Sequence, residues 1–132
     1  MSEEGKPVPP ASPTSAQVPV GPLSAQASIE DFKKLVLRTG LVVGAEDHPN
    51  ADRLLVLKVD LGEGAPRQFV AGIKGSYQAS ELIGKSVVVV ANLKPATLRG
   101  VESQGMVLAA SDGSSIILLA PERPVRAGST VK

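Results

Sequence analysis

From about residue 35 onward, apolar and polar positions change over in short blocks rather than over helical repeats. Leu35 to Val43 is apolar and β-branched, and Gly40 and Gly44 mark a bend or bulge in the strand it predicts. Leu54 to Leu61 predicts a second strand, ending at the turn Gly62-Glu63-Gly64, and Arg67 to Ile73 a third. A short helical turn is expected over Ala79 to Ile83, followed by a strand from Val87 to Asn92. Met106 to Ala110 and Ile116 to Ala120 read as a hairpin around Asp112-Gly113. A last short strand is expected near Thr130 and Val131. Ahead of the first strand, Ser28 can cap a helix over Ile29-Glu30-Asp31-Phe32-Lys33-Lys34, with acids in its first turn and lysines in its last.

Many short strands with abundant glycine and two minor helices predict an all-β domain built as a small, closed or nearly closed barrel. Five core strands with a helical insert between the third and fourth point to an OB-fold five-stranded barrel, with extra C-terminal strands. The first 27 residues differ in kind. They hold six of the eleven prolines, with Ser and Ala between, and lack apolar periodicity. Such a segment buries too little surface to offset its ordering entropy, so a disordered Pro/Ala/Ser-rich tail or linker is expected over 1–27 and the folded domain over 28–132.

One stretch asks for chemistry. Asn92-Leu93-Lys94-Pro95-Ala96-Thr97-Leu98-Arg99-Gly100-Val101-Glu102-Ser103-Gln104-Gly105-Met106 follows a buried-type strand, where a few turn residues would suffice. It carries amides, two cations, hydroxyls and two glycines, a set suited to gripping polar, negatively charged groups. Bulk charge adds little: the 132 residues carry a formal net charge of +1, and beyond residue 27 there are 13 basic and 11 acidic residues. That excess is too small to hold nucleic acid by charge density alone, so cations must act locally. Aromatic residues make up 2% of the chain against 42% hydrophobic, so the core must come from Val, Leu, Ile and Ala. The absence of cysteine excludes disulfides, thiolate metal sites and cysteine nucleophiles. With no apolar run of about 18 residues and no signal-type N-terminus, no membrane partner is expected and a cytoplasmic location is the default.

His48-Pro49-Asn50-Ala51-Asp52-Arg53-Leu54 and the Asn92–Met106 stretch resemble the two signature segments of the tRNA-binding domain family. That module occurs at the C-terminus of many bacterial methionyl-tRNA synthetases, in free-standing tRNA-binding proteins and in synthetase-associated cytokine-like factors. Gly62, Val70-Ala71-Gly72-Ile73, Gly84-Lys85 and Asn92-Leu93-Lys94-Pro95 fall in the expected order, and the similarity runs from the Ile29 helix to Lys132. Val36 and Ala71 depart from it, standing where many members carry an acid and a serine. The resemblance implies an OB-fold that binds tRNA through shape and backbone with little sequence preference. It also implies a frequent homodimer, and an aminoacyl-tRNA synthetase as a possible partner or parent chain.

On this basis the candidate tRNA-binding residues are Asn92, Lys94, Arg99, Ser103, Met106, Arg67 and Lys74. Lys94 and Arg99 can each bond phosphate oxygens, Arg99 bidentately. Asn92 either presents its amide to a base edge or ribose hydroxyl, or bonds backbone and shapes the loop. Ser103 can donate to phosphate, while Met106 either packs under a base or fills the core. Arg67 and Lys74 flank the face. Arg38 can do the same or pair with Glu46. Phe32 and Phe69 are expected in the core, and Tyr77 either stacks or packs. His48 and Asp52 offer too few ligands for a metal site, so their segment reads as a turn set by Pro49 with Asn50 or Asp52 capping backbone donors. No cofactor is implied. Converging titratable groups are missing, so binding and not catalysis is expected. Three aromatics are too few for the stacking platforms of general single-strand binders. A peptide-binding, chaperone-like or dimerisation barrel remains the alternative. Self-association is expected through the segment from Ile116 to Val131, whose run Ile116-Ile117-Leu118-Leu119 exceeds what one barrel face needs.

Overall fold

A computed structural model describes residues 25–132, so nearly all of the tail expected over 1–27 lies outside the described residues. The chain enters through α1 (Ile29–Lys33), where the Ser28 hydroxyl accepts from the Asp31 N–H and the Asp31 carboxylate accepts from the Ser28 N–H. Those bonds hold the Asp31 carboxyl below its ordinary value, the Ser28 backbone N–H contributing most. Five residues cannot present a full apolar stripe. Phe32, expected in the core, is accordingly exposed, as are Ile29 and Leu35.

The sheet then forms in the order β3 (Arg67–Ala71), β2 (Leu55–Asp60), β1 (Leu37–Asp47), β4 (Ser86–Val90), β7 (Met106–Val107), every neighbour antiparallel. β1 is long enough to serve both sides: residues 37–41 pair with β4 and residues 41–47 with β2. The register slips between Val42 and Gly44, the bulge expected there. α2 (Ala79–Leu82) lies between β3 and β4 and seats the buried Leu82 in the core. This is the five-stranded OB barrel that the apolar pattern predicts. Among the described residues, no helix is long and apolar enough to cross a membrane.

The core is aliphatic, as the composition requires, around one aromatic, the fully buried Phe69. A large side chain of this kind contributes about 3–5 kcal/mol against truncation to alanine. Closure of the barrel between β3 and β7 does not use a strand ladder. The Gln104 N–H donates to the Gln68 carbonyl (2.8 Å), the Gln68 N–H to Gln104 Oε1 (2.9 Å) and the Val70 N–H to Ser103 Oγ (3.0 Å).

Three differences from the sequence expectations bear on the site. The stretch from Asn92 to Met106 is not an open loop but contains a hairpin, β5 (Ala96–Leu98) with β6 (Val101–Ser103). All three β5 residues are exposed, so no buried–exposed alternation betrays the strand. The expected C-terminal hairpin forms between β8 (Ala109–Ser111) and β9 (Ile116–Leu118), and β7 separates from it to join the barrel. Asp112 accepts from the Ser114 and Ser115 N–H groups in the turn, which lowers its carboxyl to about 2. Support from this carboxylate is therefore present above the ordinary carboxylate range and is lost as pH falls toward 2. Finally, Arg38 donates to the Gly128 carbonyl and makes no pair with Glu46.

Gly105 follows the hairpin with φ of +144°, and a Cβ there would lie 2.5 Å from the Val90 carbonyl oxygen and 2.7 Å from a Phe69 ring carbon. Neither neighbour can move without opening the barrel. Gly105→Ala is expected to cost about 2–3 kcal/mol, read as a lower midpoint in urea unfolding with an unchanged slope.

Candidate nucleic-acid interface

Among the described residues, three polar or charged side chains are buried, Thr39, His48 and Ser103, and each ties a connecting segment to the barrel. The Thr39 hydroxyl donates to the Arg126 carbonyl and accepts from the Ser129 N–H, strapping the C-terminal segment beside β1, where β10 (Thr130–Val131) pairs. The Ser103 hydroxyl accepts from Val70 and donates to the Gly105 carbonyl (2.9 Å).

His48 links the two signature segments. Its Nδ1 accepts from the Asn50 N–H at 2.9 Å. An Nδ1 that accepts leaves the proton on Nε2, which donates to the Leu98 carbonyl at 2.8 Å. Asn50 completes the clasp: its Nδ2 donates to the Arg99 carbonyl (3.2 Å), while the Arg99 Nη2 donates to the Asn50 carbonyl (3.4 Å). The segment is structural, as expected, but through other contacts: the His48 ring, not Asn50 or Asp52, accepts from a backbone N–H of the turn, and the ring and Asn50 both reach a hairpin tip some fifty residues away.

Arg99 and Gly100 form that tip. Their φ values are +54° and +91°, the pattern of a two-residue type I′ turn. Gly100 suits it. Arg99 is the one non-glycine residue with positive φ among the described residues, at a position where Asn or Gly would be easier. Arginine here carries a conformational cost and gains an exposed guanidinium at the apex of the hairpin.

The other candidate residues separate into two groups. Lys94 is exposed at the base of the hairpin, five residues before Arg99 in the chain. Met106 is 48% exposed on β7, and Lys74, three residues beyond β3, is paired with Asp47 at 3.2 Å. By contrast, Asn92 spends its amide internally: Oδ1 accepts from the Val36 N–H (2.8 Å) and Nδ2 donates to the Lys34 carbonyl (2.7 Å). Arg67 is held bidentately by Glu63 and donates to the Ala91 carbonyl. Ser103 is inside, as described. Tyr77 packs at the edge of the core, its hydroxyl accepting from the Leu118 N–H.

Sequence reasoning passed over Arg53. It lines a polar cleft with Lys74 and sits beside Leu54, which lines an apolar groove under the hairpin tip. Its position inside the first signature segment was the available signal.

Residues 37–130 match the family model described as "Putative tRNA binding domain". The chain belongs to the tRNA-binding domain family. A methionine–tRNA ligase from Thermococcus kodakarensis is 53% identical over 105 residues, which is 80% of this chain and 14% of that protein. The chain thus spans about a seventh of the curated relatives it matches. Among solved structures, a methionyl-tRNA-synthetase-related protein from Pyrococcus horikoshii superposes with a TM-score of 0.75 at 34% identity, covering 82% of this chain and 99% of that one. The chaperone CsaA from Bacillus anthracis gives the same TM-score at 33% identity, covering 82% and 100%. The domain resembles a non-catalytic tRNA- or peptide-binding module.

If the tip is strained in favour of its side chain, Arg99→Asn should raise stability by about 0.5–1 kcal/mol. His48→Ala should lower it by about 1–3 kcal/mol through the unpaired Asn50 and Leu98 backbone groups. Both are read from urea unfolding.

Proposed function

We propose that this domain binds tRNA through its phosphate backbone, with Arg99 at the hairpin apex and Lys94 at its base as the primary cations. The observation that carries this reading is Arg99 held in a left-handed conformation by the His48–Asn50 clasp. A pre-positioned guanidinium loses less freedom on binding and can take a phosphate bidentately. Family membership and the methionine–tRNA ligase relatives support tRNA as the ligand. The domain would act in cis within a synthetase or in trans beside one, raising the local concentration of tRNA near a catalytic body. Asn92, Ser103 and Arg67 shape the site in this reading, and Met106 and Lys74 border it.

Self-association through the C-terminal segment belongs to the same proposal. Ile117 is 53% exposed on β9, with Leu119 and Val125 exposed after it. A homodimer would cover them and present two hairpins to one RNA. A monomeric mass in sedimentation at micromolar concentration removes this part.

The likeness to CsaA favours a peptide-binding reading, which differs in its response to salt. Gel-shift titration of unfractionated tRNA should give micromolar or tighter binding that weakens with salt. In Lys94→Ala/Arg99→Ala the affinity should fall at least tenfold, and the slope of log K against log salt by about 1.5–2. Binding indifferent to both salt and the substitutions would exclude the proposal.

A further inference from the structure

Two concavities meet beneath the hairpin tip. An apolar groove of about 390 Å³ is lined by Leu54, Val70, Ile73, Leu98, Met106 and Ile116, among others. A polar cleft of about 570 Å³ is lined by Arg53, Lys74, Asp52 and the Ser114-Ser115 turn. Gly72 and Ile116 line both, so the two adjoin. Arg53 precedes Leu54, Lys74 follows Ile73 and Arg99 follows Leu98, so three cations flank groove-lining residues in the chain. The cleft itself carries two cations against the single carboxylate of Asp52. Lys74 is partly engaged by Asp47, whereas Arg53 is exposed and makes no ion pair among the described residues.

We propose that the groove and cleft together take one unpaired nucleotide of a folded RNA, the base lying between Leu54, Leu98 and Met106 and its phosphate against Arg53 and Lys74. An apolar slot next to a cationic cleft has the two-part polarity of a nucleotide, flat and apolar on the base faces and anionic at the phosphate. A peptide side chain would satisfy the groove and leave the cations unanswered. A paired helix would satisfy the cations but could not offer a base, since its bases are stacked inside. The scarcity of aromatic platforms argues against a long single strand but not against one base held by aliphatic side chains. This proposal rests on the tRNA-binding reading and sharpens its ligand from backbone alone to backbone plus one splayed base.

The test uses the full chain and two RNA probes of equal length, a blunt duplex and the same duplex with one bulged nucleotide. Wild type should prefer the bulged probe by about tenfold or more. Gly72→Leu fills the junction of the two concavities, where a Cβ has room, its nearest neighbour being a Leu54 methyl at 3.7 Å. Met106→Ala trims one wall of the groove at a side chain that is 48% exposed. Gly72→Leu should erase the preference while leaving duplex binding intact, and Met106→Ala should reduce it. Arg53→Ala should lower affinity for the bulged probe and reduce its salt slope by about one. Binding of both probes equally, or a preference that survives Gly72→Leu, overturns the nucleotide pocket and leaves backbone binding standing. Binding of neither probe overturns both. A change of sedimentation mass in Gly72→Leu would assign the groove to a second copy of this chain and also overturn the proposal.

Discussion

One imidazole couples the segment that follows β1 to the hairpin that follows β4. His48 is buried, accepts on Nδ1 from its own segment and donates from Nε2 to the hairpin tip. Without it, the hairpin would project from the barrel on two three-residue strands whose residues are mostly exposed. An isolated two-stranded hairpin has marginal stability in water. The clasp therefore supplies from outside what the hairpin cannot supply for itself, and lets Arg99 occupy a backbone conformation that arginine disfavours.

Thr39 and Ser103 repeat the same device at two other places. In each case a small barrel uses a buried, fully paired polar side chain to fix a connecting segment where an apolar core would be too thin to do so. Buried polar groups are costly unless satisfied, so each of these contacts admits few alternative geometries. Gly105 adds a steric lock on the same seam, bringing the chain against Val90 and Phe69 where no side chain fits.

The barrel strands were legible because each has a buried face or a β-branched run bounded by turn residues. The hairpin inside Asn92–Met106 was not, since Ala96, Thr97 and Leu98 are all exposed and Pro95 and the glycines suggest a loop. The cations were legible as chemistry, and their placement at opposite ends of a hairpin was not. Asn92, Ser103 and Arg67 look from the sequence like groups available to a ligand. The partners Lys34 and Val36 of Asn92, Val70 of Ser103 and Ala91 of Arg67 lie 24 to 58 residues away along the chain, beyond what local pattern can show; Glu63, four residues before Arg67, lies within it. Phe32 shows the opposite limit: its apolar character places it inside, but a one-turn helix outside the barrel gives it nothing to pack against.

Asn92 has a consequence for how the domain is joined to anything upstream. Its amide staples the end of α1, through the Lys34 carbonyl and the Val36 N–H, to the residue from which the hairpin departs. The incoming chain and the outgoing hairpin thus share one anchor point. A displacement of the entering chain would therefore be felt at the root of the hairpin through this side chain as well as through β1.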